Sequence, residues 1–202
     1  MDSEDWDRRY DTSELVWTAV PNQFLVAEVA SLVPGTALDL GAGEGRNAVW
    51  LAQQGWQVTA VDFSEVGLAK ARQLAAASGV EVTTVHADVV VDNLANDRFD
   101  LVVLLYLHLV PSSRRIVLRR AADAVAPHGT LLVLGHDLDN IAHGFGGPQD
   151  PEILFTPDEV VADIEGSGLT VEKAERAWRT VTTPDGERTA IDALVRAHRP
   201  DR

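Results

Sequence analysis

Three glycines lie at the end of a short apolar run, in the segment ALDLGAGEGRN (residues 37–47). Gly41, Gly43 and Gly45 come where a buried strand is expected to end and a helix to begin. A glycine-rich turn at such a point lets a ligand approach the backbone closely. Asp62 ends the next apolar run, and a carboxylate there can accept the two hydroxyl groups of a ribose. These residues predict a nucleoside ligand without deciding which one.

Two further residues narrow the identity of that nucleoside. The fingerprint of nicotinamide and flavin sites is G-x-G-x-x-G, and the chain has Arg46 where that fingerprint has its third glycine. Asp88 follows a third apolar run, in VHADV, where its side chain could accept the exocyclic amine of an adenine. Arg46 and Asp88 oppose a nicotinamide-dependent oxidoreductase, which is kept as an alternative.

Apolar runs suited to buried strands alternate with helical patterns along the chain. Strands are predicted over 36–41, 57–63, 80–88, 99–107 and 130–137. Helices are predicted over 45–54, from a cap at Ser64 to about 78, from Pro111 to the segment APHG at 126–129, and from a capping box at Thr156. Two alternating segments joined by PDGE predict a C-terminal antiparallel hairpin. The fold class is therefore α/β: a Rossmann-like, mostly parallel seven-stranded sheet with that hairpin and helices on both faces.

The chain shows no repeat or linker, so one domain is predicted over residues 1–202. Its expected parts are an N-terminal cap, a cofactor-binding core, a lid or substrate loop rich in glycine and proline, and a C-terminal helix with the hairpin, over 1–33, 34–137, 138–155 and 156–202. The N-terminus is polar and acidic, unlike a signal peptide, and no apolar stretch has the length of a membrane span. We therefore expect a cytoplasmic protein, either a monomer or a homodimer.

Five segments carry a family resemblance, in the order ALDLGAGEGRNAVWLA, VTAVDFS, HAD, FDLVVLLYLHL and APHGTLLV. They strongly resemble the ordered motifs of class I S-adenosylmethionine-dependent methyltransferases, over residues 36–136. The resemblance implies S-adenosyl-L-methionine as cofactor and S-adenosyl-L-homocysteine as product. On it, Asp62 would bind the ribose, Phe63 would flank the adenine and Asp88 would bind its amine. The full set of implied cofactor residues is Asp39, Gly41, Gly43, Gly45, Arg46, Asp62, Phe63, Asp88 and Tyr106. One departure is His128, where the family usually has glycine.

The acceptor is predicted to be a small molecule. The chain has no cysteine, which the methyltransferases acting on cytosine C5 require. Methyltransferases that act on exocyclic amines share an Asn/Asp-Pro-Pro-aromatic turn after the fourth strand, whereas this chain reads LYLH there, at 105–108. Its formal charge of −14 opposes nucleic acid and anionic membranes as partners. The four arginines between 114 and 120 are interpreted as a solvated helix face. The segments WDRRY and VPNQFL resemble the short bacterial tellurite-resistance and thiopurine-type methyltransferases.

Transfer of a methyl group from a sulfonium is an in-line displacement that can depend largely on alignment. A soft anionic thiol or chalcogen needs no base, whereas a hydroxyl or a protonated amine does, and histidine supplies one most readily. The catalytic candidates are His136, His108 and Tyr10. Aromatic rings attract cations, so the candidates for the acceptor and sulfonium surroundings are Trp6, Trp17, His143 and Phe145. No metal site is predicted, and a catalytically inactive S-adenosylmethionine-binding protein is the second alternative.

Overall fold

The structure is a computed structural model that describes residues 3–12, 14–92 and 98–201. The chain divides into two compact units, Met1–Val103 and Leu104–Arg202. Residues 1, 2 and 13 of the predicted cap lie outside the described residues. The single-domain organisation of the chain stays a prediction.

The first unit contains the glycine loop between its first strand and its third helix. Its elements are α1 Ser3–Tyr10, α2 Gln23–Val29, β1 Thr36–Leu40, α3 Arg46–Gln53, β2 Gln57–Asp62, α4 Glu65–Ala77 and β3 Thr83–His86. Strands β1, β2 and β3 pair in parallel. The next strand, β4 (Phe99–Leu105), spans the boundary between the units.

Local sequence signals explain most of these elements. The Ser64 hydroxyl accepts a hydrogen bond from the Gly67 N–H and begins α4 as predicted, which buries Leu68, Ala71 and Ala75 at helical spacing. Strand β3 is shorter than the predicted 80–88. It lies at the edge of the sheet and pairs only with β2, from Thr83 to His86, so the residues on either side have no ladder to join.

The second unit contains the C-terminal hairpin. Its elements are α5 Pro111–Asp123, β5 Val125–His136, α6 Asn140–His143, α7 Pro157–Asp163, β6 Thr170–Thr183 and β7 Gly186–His198. Strand β7 pairs antiparallel with both β5 and β6, and the predicted capping box at Thr156 is present. The seven strands follow the order β3-β2-β1-β4-β5-β7-β6 in one sheet. The predicted fold class is confirmed.

The segment APHG does not close α5, because β5 already begins at Val125. Within it, His128 has a φ of 63°, in the left-handed region that favours glycine. Its N–H donates to the Arg199 carbonyl at 2.9 Å, which joins the start of β5 to the end of the chain. The departure from the family's glycine therefore falls on a backbone conformation that glycine adopts more easily.

We expect His128→Gly to stabilise the protein. The left-handed conformation costs a non-glycine residue about 1–2 kcal/mol, and the added freedom of glycine in the unfolded chain offsets part of that, so the net gain is about 0.5–1 kcal/mol. The His128 side chain is 70% exposed and its ion pair with Asp201, at 3.5 Å, contributes little. Urea unfolding measures the gain. A lower unfolding midpoint for His128→Gly would contradict the prediction.

The predicted lid segment contains the short helix α6 and is anchored by a buried asparagine. Oδ1 of Asn140 accepts the Ile191 N–H at 2.7 Å, and Nδ2 donates to the Gly146 carbonyl at 2.8 Å. Phe155, at the far end, is 2% exposed and forms a β-bridge with Asp137. The segment is therefore fixed at both ends, and its function as a lid stays a prediction.

The interpretation of the four arginines as one solvated face is wrong for Arg114. Its side chain is 7% exposed, and its Nε lies 2.7 Å from Oδ2 of Asp163. Helix α5 packs against α7 along this face, and the buried guanidinium needs the buried carboxylate as its partner. Arg115 is exposed and contacts the other oxygen of Asp163 at 3.0 Å.

Candidate active site

The glycine loop is held against β2 by the N–H groups of Gly41 and Ala42, which both donate to the Val61 carbonyl. Gly41, Gly43 and Gly45 have φ values of 75°, 54° and 79°. A Cβ on Gly45 would lie 2.5 Å from the Cβ of Ala71, so this glycine allows α3 to pack closely on α4. The third glycine thus has a packing reason that is independent of any ligand.

Asp62 holds the loop in shape from the end of β2. Its Oδ2 accepts the Gly43 N–H at 2.8 Å, and its Oδ1 accepts the Ser64 N–H at 2.9 Å. Burial raises the pKa of Asp62, and the N–H groups of Ser64 and Gly43 only partly oppose that effect. Each carboxylate oxygen has a second lone pair, so the group can still accept two ligand hydroxyls.

Asp39 is a buried carboxyl with an unmatched oxygen. It is 1% exposed, and its Oδ2 has no hydrogen-bond partner among the described residues. Burial and, to a smaller extent, the charge of Asp62 raise the pKa of Asp39 to about 7, against the opposing charge of Arg46. Buried polar atoms are nearly always paired in native proteins, so this oxygen indicates a place for a cationic or hydrogen-bonding ligand group.

The cap brings its predicted aromatic residues together. Tyr10 is 5% exposed, and its hydroxyl would lie 2.7 Å from a Cβ on Gly43. Trp6 packs beside Tyr10 at 5.3 Å between ring centroids, and the Arg9 guanidinium lies over the rings of Trp6 and Trp17, at 4.9 and 5.1 Å. Burial raises the pKa of Tyr10, so its phenol is a hydrogen-bond donor rather than a base at neutral pH.

Glu44, inside the glycine loop, is a residue that sequence reasoning missed. Its side chain is 2% exposed, and its two oxygens accept the N–H groups of Val16 and Trp17, both at 3.0 Å. Lys70 completes the contact at 3.0 Å from Oε1. Glu44 therefore ties the cap to the loop. The sequence shows Glu44 as an acid between two glycines, but the residues that it contacts lie 26 to 28 positions away, so no local pattern predicts its function.

Asp88 and Phe63 lie at the carboxyl ends of β3 and β2, as predicted. Oδ1 of Asp88 accepts the Val90 N–H at 2.8 Å, which is an ordinary turn contact. The ring of Phe63 is half-buried, and its carbonyl lies 2.9 Å from Nε2 of His86. Their contacts with an adenine stay predictions.

The second unit contains a buried polar cluster, here called the Asp192 network and made of Tyr106, His136, Arg179 and Asp192. Asp192 lies on β7 and is fully buried. Its Oδ2 accepts the Tyr106 hydroxyl at 2.8 Å and Nε of Arg179 at 2.9 Å, and its Oδ1 lies 3.1 Å from Nδ1 of His136. Sequence reasoning found Tyr106 and His136 but missed the acid that joins them.

His108 supports this network from beside it. Its ring stacks on the His136 ring with an 8° angle between the planes, and its Nε2 accepts the His136 backbone N–H at 3.1 Å. Burial and, to a smaller extent, the neighbouring His136 lower the pKa of His108 to about 4. His108 is therefore neutral at pH 7, with Nε2 engaged by the backbone.

His143 and Phe145 are exposed, one at the end of α6 and the other in the loop that follows it. Across residues 3–12, 14–92 and 98–201, no three histidine, aspartate or glutamate side chains gather so that they could hold a metal ion. In the same ranges, no helix is both long enough and apolar enough to cross a bilayer.

Comparison with known proteins finds a family match for part of the chain. Residues 37–129, just under half of it, match the family model of the methyltransferase domain. An uncharacterized methyltransferase of Mycobacterium tuberculosis is 34% identical over 108 residues, which are 53% of this chain and 53% of that protein. The alignment thus spans about half the length of that curated relative.

Solved structures share the fold over nearly the whole chain. One, from a study of the conversion of a disulfide bond into a thioacetal group during echinomycin biosynthesis, has a TM-score of 0.79 at 22% identity and covers 98% of this chain and 91% of its own. TehB from Haemophilus influenzae has a TM-score of 0.73 at 17% identity, and the match covers 98% of this chain and 66% of the TehB chain. Magnesium protoporphyrin IX methyltransferase from Synechocystis, with S-adenosylhomocysteine bound, has a TM-score of 0.67 at 20% identity. The match covers 97% of this chain and 94% of that enzyme's chain.

Residues 37–129 thus match a methyltransferase domain, and the chain shares its fold with S-adenosylmethionine-dependent methyltransferases of known structure. The fold shared with TehB supports the predicted resemblance to the tellurite-resistance enzymes. The predicted cofactor, S-adenosyl-L-methionine, is confirmed at the level of the class.

Proposed function

We propose that the protein transfers a methyl group from S-adenosylmethionine to a small-molecule acceptor. The observation that carries this proposal is Oδ2 of Asp39, a buried carboxylate oxygen without a partner among the described residues, at the end of β1 in the matched domain. S-adenosylmethionine has a primary ammonium, an adenosine and a sulfonium, so it offers both a hydrogen-bond donor and positive charge to this carboxylate oxygen.

The residues around the loop fit this cofactor. Asp39 would face a positively charged part of it, Asp62 would accept ribose hydroxyls through its remaining lone pairs, and Asp88 would bind the adenine amine. When bound, the cofactor supplies an electrophilic methyl group on a sulfonium. The chain's own residues bind and orient it, and the cap residue Tyr10, packed against Gly43, would help to exclude water.

The acceptor decides whether a base is needed. A thiol, selenide or telluride that is already anionic can react once it is aligned, whereas a hydroxyl must lose its proton. We propose His136 as the base that removes this proton, because Nε2 of His108 already accepts a backbone hydrogen bond. The structural neighbours share only the fold, so TehB and the echinomycin protein suggest sulfur and tellurium compounds only as the first acceptors to try.

The experiment is a screen for transfer of an isotope-labelled methyl group from S-adenosylmethionine to thiols, selenite, tellurite, phenols and amines. We expect the label in at least one of these acceptors. A protein that binds S-adenosylhomocysteine but labels no acceptor would replace methyl transfer with the alternative of a catalytically inactive cofactor-binding protein.

We expect His136→Ala to separate the two kinds of acceptor. Turnover of hydroxyl acceptors should fall by about 10²-fold or more, the usual contribution of a general base, while anionic thiols keep most of their rate. His108→Ala is the matched control for loss of a stacked imidazole from the same pair. Equal losses on thiols and hydroxyls in His136→Ala would contradict a base function.

A further inference from the structure

Three observations around Asp192 are not explained by packing alone. Asp192 is fully buried although it carries three polar neighbours. Tyr106, which donates to it, has a φ of 60°, a strained conformation for a tyrosine and of the kind that clusters at functional sites. Nδ1 of His136 and Oδ1 of Asp192 lie 3.1 Å apart, and neither atom has another hydrogen-bond partner among the described residues.

We propose that Asp192 is a positioning residue that holds the proton of His136 on Nδ1, so that Nε2 keeps the lone pair that takes a proton from the acceptor. This inference rests on the proposed function and deepens it. It assigns the acceptor to a class that carries a dissociable proton, such as a hydroxyl or a neutral thiol.

The two oxygens of Asp192 have separate partners. Oδ2 faces the Tyr106 hydroxyl and Nε of Arg179, which are both donors, and this leaves Oδ1 for Nδ1 of His136. Burial raises the pKa of Asp192, but the contact with His136, the hydrogen bond and charge of Arg179 and the hydrogen bond from Tyr106 outweigh burial and hold that pKa below its usual value. The Asp192 side chain is therefore a carboxylate that can accept hydrogen bonds at both oxygens. Because a hydrogen-bond acceptor lies opposite Nδ1 of His136, the tautomer with the proton on Nδ1 is favoured.

The other ring nitrogen of His136 faces the segment that follows α6. A Cβ on Gly147 would lie 2.7 Å from Cδ2 and 2.8 Å from Nε2 of His136, so bare backbone passes directly over the basic nitrogen. Gly147 also has a φ of 75°. A side chain at position 147 would therefore crowd Nε2 of His136, whereas glycine leaves space beside it.

The proton step is balanced within this geometry. The X–H bond of the acceptor breaks, its electron pair stays on X, and the proton forms an N–H bond with Nε2 of His136. The imidazolium lies between Asp192 and the stacked neutral His108, so its charge has an anionic partner. S-adenosylmethionine, when bound, would supply the methyl carbon that this electron pair attacks, with the electron pair of the carbon–sulfur bond passing to sulfur, and the proton would leave His136 for water.

Asp192→Asn tests the assignment with a spectroscopic readout. In this variant the amide oxygen should stay with the donors Tyr106 and Arg179, so the NH₂ group turns toward Nδ1 of His136 and forces the ring proton onto Nε2. We expect the imidazole ¹⁵N spectrum of the ligand-free protein to change from the Nδ1–H to the Nε2–H pattern. This measurement needs neither cofactor nor turnover.

Kinetics in the same variant complete the test. Turnover of a hydroxyl acceptor should fall by about 10²-fold or more, because the wrong tautomer cannot accept the proton, while the affinity for S-adenosylhomocysteine changes less than about twofold. Asp163→Asn is the matched control, because Asp163 is also buried and also paired with an arginine, Arg114. It should leave the His136 spectrum unchanged.

Two results would overturn the inference. One is an Asp192→Asn protein that keeps the Nδ1–H pattern, and the other is an Asp163→Asn protein that changes the His136 spectrum as much as Asp192→Asn does. A wild-type protein that methylates no acceptor would instead refute the proposed function, and the tautomer measurement would still decide whether Asp192 positions His136.

Discussion

Asp39→Asn is expected to weaken the binding of S-adenosylhomocysteine and, in the same protein, to stabilise the ligand-free chain at alkaline pH. The affinity should fall by about tenfold or more, since a hydrogen bond to a charged group contributes about 1.5–3 kcal/mol. The gain in stability follows from the cost of ionising a carboxyl that is 1% exposed and has an unmatched oxygen.

The pH dependence has a definite sign. The folded-state pKa of Asp39, about 7, lies above its ordinary value of 3.8, so the folded protein keeps a proton that the unfolded chain loses between these values. The contribution of Asp39 to the stability of the ligand-free wild type is therefore lost as the pH rises from about 4 to 7. The amide introduced by Asp39→Asn carries no charge, so this variant should be more stable than the wild type by about 1–3 kcal/mol at pH 8 and show little difference at pH 4.

Urea unfolding at pH 4, 6 and 8 and calorimetric titration measure the two effects in one pair of proteins. Asp100→Asn is a suitable control, because that carboxylate accepts the Thr36 N–H at the opposite end of β1 and is exposed. It should show neither the pH-dependent gain nor the loss of affinity. An Asp39→Asn protein that binds the ligand as tightly as the wild type would remove Asp39 from the cofactor site.

Asp62→Ala is expected to abolish measurable binding of S-adenosylhomocysteine and to destabilise the fold. Removing the carboxylate leaves the buried N–H groups of Gly43 and Ser64 without an acceptor, at about 1–3 kcal/mol each, and removes the acceptor for the ribose. The glycine loop and the start of α4 both depend on this one side chain.

Asp62→Asn separates the structural loss from the loss of the ligand contact. Its amide oxygen can still accept one backbone N–H, so stability should recover partly, while the affinity stays about tenfold or more below that of the wild type because one ribose acceptor is gone. Thermal unfolding and calorimetry on Asp62→Ala and Asp62→Asn give the comparison. Wild-type affinity in a folded Asp62→Asn protein would contradict the ribose contact.

Short-range signals were enough to predict the main elements. The Ser64 cap, the capping box at Thr156 and the hairpin turn all depend on residues within four positions of one another, and the structure has each of them. The glycine loop was likewise placed correctly between a strand and a helix. Interactions between residues this close in the chain can be predicted from the local sequence.

The missed residues depend on long-range contacts. Asp192 joins Tyr106, 86 residues away, and Glu44 joins Val16, 28 residues away. When a buried acid lies in an alternating strand or between two glycines, the neighbouring residues do not indicate which distant residue it contacts. Arg114 shows the same limit, since only its contact with Asp163 distinguishes it from its exposed neighbour Arg115.

The central claim, that the glycine loop and its acids form an S-adenosylmethionine site, is tested most directly by calorimetric titration of the wild-type protein with S-adenosylhomocysteine and then with NADH in the same buffer. We expect micromolar-range binding of S-adenosylhomocysteine, of about 1–100 μM, and no heat from NADH. Binding of NADH alone would contradict the claim and restore the nicotinamide-dependent oxidoreductase.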